Sequence, residues 1–406
     1  MSMHRQLLKQ GSILGAALLL GMPAVVLRAQ TGDTISARQL SRGVAYKHIV
    51  DKSGPWVMHL VRVDLRRAGV ELRHARALDQ LKGREKPSAM VRRASAGGAQ
   101  VLAAMNADFF SLTTGENENN QVIGGEWWKG LKVTDSPYDT FDNTHIQFGV
   151  DGAGHPMIDR FMLDATAWAH GAATPILTVN FNPSGNPEGT ALFTSRYGAT
   201  TPRDTARVTA EAALIPIGRV GDTALYARRG PVSATSGSPI PTGGAVLSAY
   251  GNGSRLKEVQ AMADGDTVRI LLATQPRIRR GVTPSMLIGG WPRILRDGKE
   301  VASRAASLEG TISRNAEMRH PRTAIGFSRD STTLYMLTVD GRSTTSVGMT
   351  LTELAGVMRR LGAWQAMNFD GGGSTTMVVD GAVMNAPSDA TGEREVGNAV
   401  LLVRKP

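Results

Sequence analysis

From about residue 40 onward the chain is a succession of short apolar stretches, each closed by Gly, Pro, Asn or Asp. That punctuation leaves room for strands and for few long helices. Residues 56–65 alternate polar and apolar side chains, and Val70-Glu71-Leu72-Arg73 continues the pattern. Residues 101–105 are apolar throughout, as a strand covered on both faces reads. Further short strands are expected at 176–181, 191–194, 210–217, 245–248, 267–273, 324–327, 334–339, 366–369, 377–379 and 399–403. Two helices interrupt them. Residues 88–96 are stopped by Gly97-Gly98. Residues 351–361 carry Thr350 and Glu353 at capping-box spacing and Leu351, Leu354, Ala355, Met358 and Leu361 on one face, with Gly362 to end the helix. Residues 111–145, rich in Gly, Asn and Asp, are expected to form a long loop. The expected fold is α+β: strand-rich mixed sheets with a few flanking helices. A length of 406 residues permits two or three domains, but no linker-like run or repeat divides the chain, so a single large domain is expected.

Composition removes whole classes of chemistry. The chain has no cysteine, which excludes disulfide scaffolds, thiolate metal sites and thiol nucleophiles. At 41% apolar residues it can bury a core. Residues 1–29 read as a signal peptide: His4, Arg5 and Lys9 precede an apolar stretch from Ile13 to Leu27 that closes near Ala29. That stretch is shorter than the about 20 residues of a spanning helix, so an uncleaved anchor is the lesser reading. Residues 30–44 are then a flexible segment and 45–406 the working domain, exported to a periplasmic or extracellular setting with no stable membrane insertion. Without the three Arg and Lys residues of the leader, the net charge falls from +11 to +8. The arginines are scattered, and no basic helix or aromatic-interleaved patch marks a nucleic-acid binder.

Chemistry-bearing residues concentrate in the last third. The strand 334–339 ends in Asp340-Gly341-Arg342-Ser343, and 366–369 in Asp370-Gly371-Gly372-Gly373-Ser374-Thr375-Thr376. A glycine run exposes backbone N–H groups that can cradle an anion, with the Ser374, Thr375 and Thr376 hydroxyls as further donors. The same run equally suits a hairpin turn with Asp as turn former. Arg319-His320-Pro321-Arg322-Thr323 sets two guanidiniums and an imidazole within four positions, suited to a phosphate or carboxylate and equally to a solvated loop before a strand. Asn106 and Asp108 end a strand on one face, and Ser388-Asp389, Glu393-Arg394 and Asn398 form a polar cluster before the last strand. Asp108, Asp340, Asp370 and Glu393 are thus the candidate carboxylates. A glycosidase acting on neutral sugars needs an acid for its leaving group. A phosphate leaving group needs electrostatic neutralisation more than a proton, which suits the basic segment and glycine loop better. Asp340 and Asp370, with Asn and backbone carbonyls, could also supply oxygen ligands to Ca²⁺ or Mg²⁺.

Five motifs carry a resemblance to the phosphodiester glycosidase family: Asn106 to Phe110, Ile288-Gly289-Gly290-Trp291-Pro292-Arg293-Ile294-Leu295, Arg319 to Gly326, Asn368 to Met377, and Pro387-Ser388-Asp389 through Val396-Gly397-Asn398. The resemblance implies cleavage of a sugar-1-phosphate diester to free sugar and a phosphomonoester. It implies Asp370 as a catalytic carboxylate, with Asp340 and Glu393 as its possible partners, and Arg322 with His320 as phosphate contacts. Gly371, Gly372, Gly373, Ser374 and Thr375 would shape the cradle, supported by Asn106, Asn368 and Asn398. Ala107-Asp108 replaces the family's two glycines, which marks Asp108 as a local specificity feature, and Trp291 is expected to narrow or line a pocket. Envelope or extracellular glycans are the substrate class implied. The alternative is a binder of anionic, phosphorylated envelope polysaccharide that cleaves nothing.

Overall fold

The computed structural model describes residues 33–132, 145–182, 188–279, 281–310 and 318–405. The reading of residues 1–29 as a signal peptide lies outside them. The described residues form three sheets of eight, thirteen and five strands, with helices at Pro87–Ala96, Ser254–Gln260, Ala305–Glu309 and Leu351–Leu361. The α+β class is as expected, and the thirteen-stranded sheet is mixed: Thr178–Val179 runs parallel to Gly189–Thr194.

The eight-stranded sheet places Thr333–Val339 and Arg322–Phe327 at its centre, between Trp56–Asp64 and Gln365–Asn368. Strand side chains alternate between faces, so each central strand feeds two cores. Val61, Val63, Ile325 and Met336 point to the five-stranded sheet and meet Met105, Met377, Val400 and Leu402. Met58, Leu60, Leu337 and Val339 point the other way, onto Leu351, Leu354, Ala355 and Met358 of the last helix. Coverage on both faces is why Thr333–Val339 is buried along its whole length. The helix Leu351–Leu361 begins at the expected capping box and ends at Gly362, whose φ of +106° is left-handed.

Several expectations change. Residues 33–41, expected within a flexible segment, form the edge strand Asp33–Ser41 against Val44–Asp51. The expected loop 111–145 contains a hairpin, Gln121–Ile123 with Glu126–Leu131, turned by Gly124 and Gly125 at φ +58° and +80°. Two positive-φ glycines are what a type I′ turn requires. The expected strand 176–181 is divided between Ala172–Ile176 and Thr178–Val179. Trp291, expected to narrow or line a pocket, is 2% exposed and packed among Leu295, Ala302 and the last helix, with Nε1 donating to the Gly310 carbonyl at 3.1 Å.

Candidate active site

Strand Val101–Asn106 of the five-stranded sheet and strand Gln365–Asn368 of the eight-stranded sheet end side by side. Asn106 clasps the two. Its Nδ2 donates to the Asp370 carbonyl at 2.7 Å, and its Oδ1 accepts from Thr323 Oγ1 at 2.8 Å and the Thr376 N–H at 3.1 Å. The Asp370 N–H donates back to the Ala107 carbonyl at 2.7 Å. Buried polar groups need partners, and these bonds satisfy both strand ends at the point where the sheets meet.

Two aspartates converge there. Asp370 keeps some solvent access, yet the protein around it pushes its carboxyl up to about 6; the Ser374 hydroxyl, Arg394 and the Gly371 N–H oppose that rise, and Glu118 adds to it. Asp108 is 1% exposed, and burial raises its carboxyl to about 7. Asn119 opposes that shift through Nδ2 at 2.7 Å and its N–H at 3.3 Å, Glu118 reinforces it, and Lys129 counters it. Glu118 therefore lies close enough to act on both aspartates, and like charges gathered in a poorly hydrated site favour holding protons. Behind Asp108 a neutral relay fixes its backbone. The Asp108 N–H donates to Asn398 Oδ1 at 2.9 Å, Asn398 Nδ2 meets His74 Nε2 at 3.0 Å, and His74 Nδ1 meets the Leu287 carbonyl at 3.0 Å. The Nδ1–H tautomer satisfies all three, and burial holds His74 at about 3, so the ring stays neutral.

The glycine loop is not the open cradle expected. Gly372 donates to the Pro321 carbonyl at 2.9 Å, and the Ser374 and Thr375 N–H groups close a 3₁₀ turn on Gly371 and Gly372. The glycines permit close packing. A Cβ on Gly371 would sit 2.6 Å from the Pro321 carbonyl, and one on Gly373 would collide with the Asp389 carboxylate and Arg394 guanidinium. Gly289 and Gly290 act alike: a Cβ on the first would collide with Asn119 and one on the second would lie 2.7 Å from the Asn368 carbonyl. The Thr375 hydroxyl is buried with no hydrogen-bond partner among the described residues.

The guanidiniums at the loop come from residues outside the expected site set. Arg394 grips Asp389 through Nε at 2.7 Å and Nη2 at 3.0 Å, with Nη1 3.3 Å from Ser374 Oγ. Arg342 sits at φ +61°, lies over Gly372 and donates to Ser388 Oγ at 3.3 Å. A left-handed arginine is strained, and such strain concentrates at working sites. The segment carrying the expected phosphate contacts lies against the glycine loop, with the Pro321 carbonyl accepting from Gly372, but the Arg322 guanidinium bonds to backbone carbonyls. Arg322 is 4% exposed and commits Nε to the Met349 carbonyl and Nη2 to that of Met318, at 2.8 and 2.7 Å, and burial lowers it to about 10. His320 pairs through its backbone with Met349, and Arg319 is spent on Glu353 at the last helix.

The other expected carboxylates hold structure together. Both Asp340 oxygens accept the Ala386 N–H, at 3.1 and 3.3 Å, and Oδ2 lies 3.6 Å from His59 Nε2, so Asp340 anchors the segment that carries Ser388 and Asp389. Glu393 accepts the Ser88 N–H and hydroxyl at 2.7 and 2.6 Å, at the start of helix Pro87–Ala96. Asn368 Nδ2 ties the Trp291 and Phe369 carbonyls. Glu118 and Asn119 stood in the expected loop; their signal was the polar run from Glu116 to Asn120 just before an apolar strand. Among the described residues no three His, Asp or Glu side chains are grouped to hold a metal ion.

A strand-built site of two aspartates with raised proton affinity, beside a loop flanked by arginines, suits hydrolysis at a phosphate-bearing centre. Residues 222–403 match the model of the phosphodiester glycosidase family, somewhat less than half of the chain. It is 31% identical over 110 residues to N-acetylglucosamine-1-phosphodiester α-N-acetylglucosaminidase of Mus musculus, covering 25% of this chain and 21% of that protein. It is 36% identical over 125 residues to the uncharacterized SPbeta prophage-derived protein YomE of Bacillus subtilis (strain 168), covering 31% and 18%. The chain thus spans about a fifth of the length of these relatives. A hypothetical protein from Synechocystis shares the fold, with a TM-score of 0.69 at 20% identity over 89% of this chain and 62% of that one. Asp340, Asp370 and Arg394 lie within the family segment, whereas Asp108 and Glu118 lie before it and join it only in the fold.

Proposed function

We propose that this chain is an exported hydrolase that cleaves the sugar-1-phosphate bond of a glycosyl phosphodiester on an envelope or extracellular glycan. The observation that carries the reading is the pairing of Asp370, at about 6 and reachable by solvent, with a loop flanked by Arg342 and Arg394. Above its pKa the Asp370 carboxylate takes a proton from the attacking water. The water oxygen bonds to the anomeric carbon, and the carbon–oxygen bond to phosphate breaks with its electron pair leaving on the phosphate. Arg342 faces the negative charge that develops there, and Arg394, held by Asp389, keeps Ser374 against Asp370. Asp108 keeps the Asn119 wall in place.

The test is release of reducing sugar from UDP-sugars and methyl esters of sugar-1-phosphates. Turnover is expected, with kcat/KM falling as pH drops below about 6 because Asp370 then holds its proton. Asp370→Asn should lower kcat by about 10³-fold or more with the fold retained. Full activity in that variant, or no release from any ester by folded protein, overturns the reading. Stable binding of an anionic glycan recovered intact would favour a binder.

A further inference from the structure

We propose that a cleft on the far side of the Glu116–Asn119 wall is a subsite for neutral sugar units of the glycan substrate, a role that rests on the function proposed above. The cleft encloses about 470 Å³ and is bounded by Asp79, Gln80, Lys82, Glu116, Arg196 and Tyr197. That volume lies within the range of small-molecule sites.

The wall belongs to both sites. Glu116 faces the cleft, while Glu118, two positions on, acts on Asp108 and Asp370, and Asn119 bonds Asp108. Lys129 pins the wall between them, donating to the Asn117 carbonyl at 2.6 Å and pairing with Glu116 at 3.0 Å. The cleft and the aspartate site are thus built on one short segment, Glu116–Asn119.

The chemistry of the walls selects the occupant. Asp79 and Glu116 offset Lys82 and Arg196, and Lys82 lies 3.7 Å from Glu116, so the cleft has no charge bias toward an anion. Tyr197 is braced edge-on by the Phe193 ring at 4.9 Å, and burial keeps its hydroxyl protonated, an amphipathic ring suited to a sugar's C–H face and hydroxyls. Arg196 is locked in place, 4.4 Å over the Trp128 ring with Nη2 2.7 Å from Glu126. Independently, Leu78, Asp79 and Asn180 at or beside the cleft hold φ near +50°, at 54°, 52° and 53°. Non-glycine residues keep such strained backbones mainly where function requires them.

The test uses the whole protein. Chitotetraose, cellotetraose and maltotetraose are titrated by calorimetry against wild type, Tyr197→Ala, Tyr197→Phe and Gln80→Ala, with thermal melts as a check on folding. At least one tetraose should bind wild type, with Kd raised about 10-fold in Tyr197→Ala and held within about 3-fold in Tyr197→Phe. In hydrolysis, Tyr197→Ala should raise KM for a tetrasaccharide-1-phosphate methyl ester with kcat unchanged, and leave the monosaccharide ester unaffected. If no ester is cleaved the catalytic reading fails, while the binding titration still decides the subsite. Absence of tetraose binding, or equal Kd values for wild type and Tyr197→Ala, overturns the proposal; should Tyr197→Ala fail to fold, the same comparison is made with Gln80→Ala.

Discussion

Asp108 pays for its position with proton affinity. Its carboxyl titrates near 7 in the folded chain against an ordinary value of 3.8, because almost no water reaches it. Below pH about 4 both folded and unfolded chains hold the proton, and nothing is lost. As pH rises toward 7 the unfolded chain releases its proton first, so stability falls through that window. The cost above pH 7 is on the order of a few kcal/mol. Asp108→Asn should remove it, since the new amide can donate to Asn119 Oδ1, which is buried without a partner. A Tm higher than wild type at pH 8 and equal at pH 4 is the expected result. Equal Tm values at both pH values would mean that Asp108 is not desolvated. Such an exchange of stability for a perturbed group is what working sites show.

Helix Pro87–Ala96 has no side-chain N-cap of its own, since its N-cap position is Lys86. Glu393 supplies one from 305 residues away by taking the Ser88 N–H and hydroxyl, adding a negative charge at the helix start. Glu393→Ala should therefore cost about 1–2 kcal/mol in denaturant unfolding. Activity should stay within about 3-fold of wild type once the protein is folded. A hundredfold loss of kcat at unchanged stability would place Glu393 in the chemistry instead. The last helix needed no such help, because Thr350, Glu353 and Gly362 lie next to it in the chain. That difference explains why one helix was fully legible and the role of Glu393 was not. Local caps are written in neighbouring residues, whereas a borrowed cap depends on a partner that only folding delivers. The Gln121–Leu131 hairpin was missed for a different reason: its Gly-Gly turn was present, but surrounding Asn and Gly residues masked it as loop.

The sheets themselves meet at Asn106, where one side chain serves Asp370, Thr323 and Thr376 at once. Asn106→Ala leaves the Asp370 carbonyl, the Thr323 hydroxyl and the Thr376 N–H without that partner. The expected loss is about 2–4 kcal/mol, together with reduced kcat because Asp370 loses its anchor. A loss below about 0.5 kcal/mol would show that the clasp is dispensable. Sequence patterning was enough for the α+β class, most central strands and the convergence of polar motifs at strand ends, because alternation, caps and glycine turns are properties of adjacent residues. It also singled out Asp370, whose strand-end position is local. Which cations lie at the glycine loop was settled by the fold. Arg322 and Arg342 look alike in the chain, but strand Arg322–Phe327 turns the first inward onto backbone carbonyls, and a left-handed turn lays the second over Gly372. Asp108 and Glu118 likewise acquire meaning only beside Asp370, because proton affinity depends on desolvation and neighbouring charge, and both are set by packing between sheets distant in sequence.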